Sequence, residues 1–212
     1  MNLKVKICGI TRKQDALNAV SAGVHALGFI FYSGSQRYID PSKAREIIRI
    51  LPPFVSPVGV FVNESREAID EIARQTGIQF LQLSGDERPE DCLGLHKPVI
   101  KSFRIRSVED VGIVESYTIC AALLDGAPEG MYGGSGKLAD FETAKAIKHI
   151  CPLILAGGLN PDNVVVAVNE VRPYAIDVNS GVEHEPGIKD LVKIRLLFER
   201  LSERERTILP RN

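Results

Sequence analysis

The sequence lacks the residue patterns of a metal site and of a dinucleotide-binding site. Its 212 residues contain few cysteines, namely Cys8, Cys92, Cys120 and Cys151. They are scattered, without a C-x-x-C pair, which is typical of reduced thiols rather than of disulfides or a zinc site. No cluster of His, Asp and Glu indicates a metal, and no G-x-G-x-x-G indicates a dinucleotide-binding fold.

Long apolar runs and excess charge are also absent. No apolar run approaches the roughly 18 residues of a membrane helix. The N-terminus enters a strand-like pattern without the features of a secretory signal, so we expect a cytoplasmic protein. The formal charge of −1 argues against nucleic acid or a membrane surface as the main partner. We therefore expect a small-molecule partner.

What the chain does contain is a strand followed by a helix, repeated. The patterns predict strands at 3–8, 25–32, 56–62, 79–83, 98–104, 118–125, 152–157 and 174–181, and helices at 13–22, 41–50, 65–75, 89–95, 108–116, 141–150, 163–171 and 189–204. Strict alternation implies parallel strands with right-handed crossovers. An open doubly wound sheet is possible, but short, nearly equal strands with polar carboxyl ends favour closure. We predict a single-domain (β/α)8 barrel over residues 1–204 and a loose tail over residues 205–212.

Glycine-bearing turns follow the last two strands. The first contains Gly157 and Gly158, and the second contains Ser180 and Gly181. After the first turn, Asn160 suits a helix N-cap and Pro161 the first helical position. Bare backbone near a helix N-terminus favours an anion such as phosphate, and these strands hold the phosphate site of many (β/α)8 barrels. The alternative is that the glycines merely end their strands.

Three strand ends or loops carry groups suited to catalysis or binding. Strand alternation puts Lys6 on the same face as Cys8, where its ammonium would favour the thiolate, with Asp177 as a partner for the lysine. Asp125 ends an apolar strand, where shielding would raise the pKa of its carboxyl. Arg37 offers a planar fork for a carboxylate. The alternatives are a buried apolar cysteine, a turn aspartate and a solvated surface arginine.

Several segments, taken together, resemble one family. They are KICGIT at 6–11, SQR at 35–37, VGVFVN at 58–63, LLDG at 123–126, GGSGK at 133–137, LAGGLNPDNV at 155–164, and DVNSGVE with PGIKD over 177–190. In this order and spacing they resemble the phosphoribosylanthranilate isomerases, which are (β/α)8 barrels. The chain departs from the family at Ser84, where histidine is frequent, and at Phe141, where tryptophan is frequent.

The resemblance implies an Amadori rearrangement of N-(5-phosphoribosyl)anthranilate in tryptophan biosynthesis. By this similarity Asp125 is the general acid, Cys8 is the general base and Arg37 holds the anthranilate carboxylate. The phosphate would be held by backbone groups around Gly134, Gly157, Gly158, Ser180 and Gly181. The resemblance implies no metal or organic cofactor, a small phosphoribosyl substrate, and a monomer or homodimer.

Two other functions remain open. A bifunctional sugar isomerase of the histidine and tryptophan pathways would have a carboxylate in place of Cys8. A non-catalytic phosphosugar-binding barrel would keep the glycine turns without needing both Cys8 and Asp125.

Overall fold

The core of the protein is a closed barrel of eight parallel strands. The computed structural model describes residues 3–105, 107–126 and 140–208. The barrel strands are β1 (Lys4–Ile7), β2 (Ala26–Ile30), β3 (Ser56–Phe61), β4 (Phe80–Leu83), β5 (Val99–Phe103), β6 (Ala121–Leu124), β7 (Leu153–Leu155) and β8 (Ala175–Val178). Each strand pairs with the next, and β1 pairs with β8 to close the circle. The predicted (β/α)8 barrel is confirmed, and the open sheet is excluded.

Helices cover the outside of the barrel. The α-helices are α1 (Lys13–Ala22), α2 (Pro41–Ile48), α3 (Arg66–Thr76), α4 (Phe141–Ile147), α5 (Val164–Val171) and α6 (Leu191–Ile208). The connections after β4 and β5 are 3₁₀ segments, Pro89–Cys92 and Val108–Ser116. The second segment contains Gly112 among valines, and these residues have lower α-helix propensity. Within the described ranges, no helix has both the length and the apolar character needed to cross a membrane.

Three details at the C-terminal half differ from the predicted pattern. Helix α5 begins at Val164, and Asn160 instead caps the preceding turn by accepting the backbone N–H groups of Asp162 and Asn163. After β8, a 3₁₀ turn leads into an unpredicted hairpin of β9 (Glu183–Glu185) and β10 (Ile188–Lys189). Helix α6 extends to Ile208, beyond the predicted domain end at residue 204.

The barrel interior is apolar at its amino end and polar at its carboxyl end. The apolar layer consists of Val58, Ile100, Ala121, Leu123, Ile154, Ala156 and Ala175. Further along the strands, side-chain alternation points Lys6 of β1, Gln82 of β4 and Asp177 of β8 into the interior. All three residues are buried. The apolar layer therefore forms the floor of a polar chamber at the carboxyl end, where (β/α)8 barrels carry their active sites.

Candidate active site

A cavity opens at the carboxyl ends of the strands. It is lined by Cys8, Asp125, Gly157, Gly158, Ser180 and Gly181, together with other residues of the strand ends. Six of the eight predicted site residues thus line one cavity. Arg37 is not among the lining residues, and Gly134 lies outside the described residues.

Cys8 follows β1 and is 4% exposed. Its backbone N–H donates to the Val178 carbonyl across the closing strand pair, at 2.9 Å. A Cβ atom at Gly28 of β2 would lie 2.6 Å from Cys8 Sγ, so glycine at that position makes room for the thiol. The sulfur therefore occupies a space formed by both neighbouring strands.

The lysine below Cys8 has the partner that strand pairing predicts. Lys6 and Asp177 are in register on β1 and β8, and Lys6 Nζ lies 2.8 Å from Asp177 Oδ2. Burial lowers the pKa of Lys6, but Asp177 and Cys8 outweigh it and bring that pKa above its ordinary value. The predicted pairing is confirmed, and Lys6 is a buried ammonium.

The predicted direction of the Cys8 pKa is wrong for the unliganded protein. Lys6 and Lys189 lower this pKa, but burial has the largest effect and raises it, with Asp177 acting in the same direction. The net result is a pKa above the ordinary thiol value, so the free protein carries Cys8 as a thiol at neutral pH. Strand alternation identified Lys6 correctly but gave no measure of how deeply Cys8 is buried.

Asp125 immediately follows β6, whose residues Ala121–Leu124 are all buried. Its backbone N–H donates to the Phe103 carbonyl of β5 at 3.1 Å, which continues the sheet pairing by one residue. Asp125 itself is half-buried and lines the cavity. The sequence predicted that Asp125 ends an apolar strand, and the structure confirms that position. The raised pKa of its carboxyl stays a prediction.

Arg37 is not a solvated surface charge. Its side chain is 16% exposed, and its guanidinium binds the Glu183 carboxylate in a bidentate manner: Nε lies 2.9 Å from Oε1 and Nη2 lies 2.7 Å from Oε2. A Cβ atom at Gly9 would come within 2.9 Å of Arg37 Cδ, so the arginine stem packs beside the residue that follows Cys8. Glu183 was not predicted from the sequence as the partner of Arg37, although Glu183 is the last residue of the DVNSGVE segment.

The two glycine turns lie against each other. Gly157 and Gly158 have positive φ values of 84° and 59°, which favour glycine. A Cβ atom at Gly181 would clash with the carbonyl oxygen of Leu159, the residue after the first turn. The turns after β7 and β8 thus form one continuous stretch of bare backbone at the cavity edge.

Two buried acceptors in the cavity wall have no hydrogen-bond partner within the part of the chain that the structure describes. They are Gln82 Oε1 and Asp177 Oδ1, and both residues line the cavity. Buried polar atoms are normally satisfied, so these oxygens are suited to accept donors from water or from a ligand, such as hydroxyl groups. Gln82 also donates to Ser84 Oγ at 3.0 Å, and Ser84 lines the cavity as well.

No group of three His, Cys, Asp or Glu side chains suited to a metal ion occurs among the described residues. The cavity instead combines a thiol, carboxyl groups and two glycine turns at the carboxyl end of a parallel barrel, with the Lys6 ammonium bound to Asp177 in its wall. These features place the protein among the (β/α)8-barrel enzymes.

The particular family follows from the comparisons with known proteins. Residues 5–200 match the family model described as N-(5'phosphoribosyl)anthranilate (PRA) isomerase, and the chain belongs to this family. A relative from Trichlorobacter lovleyi named N-(5'-phosphoribosyl)anthranilate isomerase is 48% identical over 194 residues, covering 91% of this chain and 95% of that protein. The resemblance identified in the sequence is thereby confirmed.

Solved structures agree with this assignment. The crystal structure of phosphoribosyl anthranilate isomerase from Thermotoga maritima has a TM-score of 0.89 and 43% identity, covering 95% of this chain and 100% of that one. Another phosphoribosyl anthranilate isomerase, in complex with reduced 1-(o-carboxyphenylamino)-1-deoxyribulose 5-phosphate, has a TM-score of 0.84 and 39% identity, with the same coverage.

Proposed function

We propose that this isomerase converts N-(5-phosphoribosyl)anthranilate to 1-(o-carboxyphenylamino)-1-deoxyribulose 5-phosphate in tryptophan biosynthesis, with Asp125 as general acid and Cys8 as general base. The observation that carries this assignment is that both residues line one cavity together with the two glycine turns. A phosphosugar-binding protein without catalysis would need the turns alone.

The first chemical step requires a proton donor. Asp125, in its protonated form, donates to the furanose ring oxygen while the bond from that oxygen to C1′ breaks. The anilino nitrogen supplies the electron pair that makes the protonated Schiff base. The position of Asp125, half-buried after a strand of buried residues, supports this role because shielding favours the neutral carboxyl.

The second step requires a base near C2′. The Cys8 thiolate removes the C2′ proton, and the electrons of that bond neutralise the cationic Schiff base to give an enolamine, which tautomerises to the ketone. Because burial raises the pKa of Cys8 in the free protein, the thiolate must form in the substrate complex. The cationic Schiff base beside the sulfur would stabilise it there.

The substrate carries a phosphate and a carboxylate, which bind to separate groups of the protein. The turns containing Gly157, Gly158, Ser180 and Gly181 offer backbone N–H groups to the phosphate, with Gly134 as a further candidate. Arg37 would receive the anthranilate carboxylate through Nη1 and the second N–H of Nη2, since Glu183 accepts from Nε and from one N–H of Nη2. The unpaired oxygens of Gln82 and Asp177 would accept ribose hydroxyl groups.

The function can be tested with substrate generated in place. Purified protein is mixed with anthranilate, phosphoribosyl pyrophosphate and the transferase that joins them, and the decay of substrate fluorescence is followed for wild type and Cys8→Ala. We expect fast decay that the substitution abolishes. Fast decay with both proteins would remove Cys8 as the base, while no decay with folded wild type would favour the phosphosugar-binding function.

Location and assembly are further parts of the proposal. We infer a cytoplasmic enzyme whose partner is the small phosphoribosyl substrate rather than nucleic acid or a membrane, and which acts as a monomer or a homodimer. Sedimentation velocity of the purified chain decides between the two assembly states.

A further inference from the structure

Glu183, on the hairpin strand β9, is buried at the centre of four donors. Its carboxylate accepts Arg37 Nε and Nη2, the Gly187 backbone N–H at 3.2 Å, and Lys189 Nζ at 2.8 Å. Burial raises the pKa of Glu183, but Arg37 and Lys189 outweigh it and hold that pKa below its ordinary value. Glu183 is therefore a carboxylate that fixes both cations.

Lys189, on β10, has a side chain with 0% exposure. Its Nζ donates to Glu183 Oε1 at 2.8 Å, to Asn179 Oδ1 at 2.9 Å and to the Asn179 carbonyl at 3.3 Å. Three acceptors match the three N–H bonds of an ammonium group, whereas a neutral amine has two. Lys189 thus joins the hairpin to the cavity-lining residue that precedes the Ser180 turn.

The cluster of Arg37, Lys189 and Glu183 contains two cations and one anion, an excess of one positive charge. It adjoins Cys8, because the Cys8 backbone N–H binds the Val178 carbonyl and Asn179 is the next residue. Burial, together with Arg37, brings the pKa of Lys189 below its ordinary value although Glu183 and Cys8 oppose that effect, and the three acceptors around Nζ are what favour the charged form. An excess positive charge beside a buried thiol favours its ionised form.

The other charged groups around Cys8 do not supply this excess. Lys6 of β1 and Asp177 of β8 form a neutral pair below the sulfur. From α1, the buried Asp15 accepts the Lys189 backbone N–H at 3.0 Å, and its Oδ2 lies 3.9 Å from Arg12 Nε, so this carboxylate also has a cation beside it. The net positive charge at the thiol therefore depends on Lys189 and on the hairpin that carries it.

We propose that the Glu183 and Lys189 pair is a positioning unit for the isomerase site: Glu183 orients the Arg37 fork toward the substrate carboxylate, and Lys189 fixes Asn179 and keeps a positive charge beside Cys8. Neither residue touches the reacting atoms. The orientation of Arg37 rests on the proposed function, whereas the effect of Lys189 on the thiol does not.

The first test measures the thiol without substrate. Iodoacetamide alkylation of Cys8 is followed against pH by mass spectrometry of the Cys8 peptide in wild type, Lys189→Gln and Lys193→Gln. Glutamine keeps an N–H donor for Asn179 but has no charge. We expect the alkylation midpoint of Lys189→Gln to move up by about one pH unit, a tenfold loss of thiolate at a given pH.

Lys193→Gln is the matched control, because Lys193 is exposed and binds the backbone oxygen of Glu183 rather than its carboxylate. Its midpoint should equal that of wild type. An unmoved midpoint in Lys189→Gln, with circular dichroism showing a folded protein, would overturn the role of Lys189 whether or not the chain proves to be an isomerase.

The second test uses steady-state kinetics once wild-type isomerase activity is established. Glu183→Gln should raise KM about tenfold while kcat stays within about threefold, because a less well oriented Arg37 weakens binding equally in the ground and transition states. Glu185→Gln, on the exposed part of the same hairpin, should leave both constants unchanged. An unchanged KM for Glu183→Gln, or equal losses in kcat and kcat/KM, would overturn the orienting role.

Discussion

At the residue scale, the proposed acid and base need opposite protonation states in one cavity. Cys8 must lose a proton although burial raises its pKa, and Asp125 must keep one. The structure separates the two groups by environment, since two buried lysines act on the thiol while Asp125 follows the apolar strand β6. This separation is the arrangement expected of an acid and base that work together.

For Asp125, we expect Asp125→Asn to lower kcat by about 10² to 10⁴, the usual contribution of a positioned acid. The amide has nearly the same shape and cannot donate an acidic proton, so the fold should be kept. Asp110→Asn, at an exposed residue of the 3₁₀ segment Val108–Ser116 outside the barrel, is the control. Turnover near the wild-type value would remove Asp125 from the mechanism.

We expect Arg37 to contribute to substrate binding rather than to the chemical steps, because the anthranilate carboxylate does not change during the reaction. Arg37→Ala should raise KM by about 10- to 100-fold, corresponding to the roughly 1.5–3 kcal/mol of a charged hydrogen bond, with little change in kcat. Arg12→Ala removes a more exposed arginine, 47% exposed, as a control. If KM for Arg37→Ala matches wild type, the substrate carboxylate binds elsewhere.

At the element scale, the strands and their polar ends could be predicted from the sequence, and the hairpin could not. The strands are short apolar runs that alternate with helical patterns, so they can be recognised in the sequence without tertiary information. The hairpin of β9 and β10 has only five strand residues, and its buried members Glu183 and Lys189 are charged. Sequence patterns treat such residues as exposed, and only the folded structure reveals the partners that make their burial possible.

The turn after β8 offers a test of element packing. Gly181→Ala places a methyl group against the Leu159 carbonyl, so the two glycine turns must separate, at a cost of about 1–3 kcal/mol for overpacking. We expect weaker competitive inhibition by inorganic phosphate and a higher KM. Gly112→Ala, where no atom lies within 4 Å of the added Cβ, should change neither. Unaltered phosphate inhibition in Gly181→Ala would place the phosphate away from this turn.

At the scale of the whole molecule, closure of the barrel and formation of the site depend on the same strand pair. β1 and β8 are the first and last barrel strands in the sequence, and they pair over four residues in register. The Lys6 and Asp177 pair lies in this seam, and Cys8 extends the seam by one hydrogen bond. The ion pair that joins β1 to β8 therefore also forms part of the environment of the proposed base, Cys8.

Lys6→Met tests that coupling. It keeps most of the side-chain volume but leaves the Asp177 carboxylate buried without its cation, so the free energy of unfolding should fall by about 3–5 kcal/mol. The double variant Lys6→Met with Asp177→Leu removes both charges and should recover much of that loss, because no buried charge is left unpaired. Urea unfolding followed by circular dichroism measures both variants. Equal stabilities for the single and double variants would show that the unpaired Asp177 carboxylate is not what destabilises the single variant. Activity should stay low in the double variant even where stability returns, since the cavity has then lost the Asp177 oxygen proposed to accept a ribose hydroxyl group.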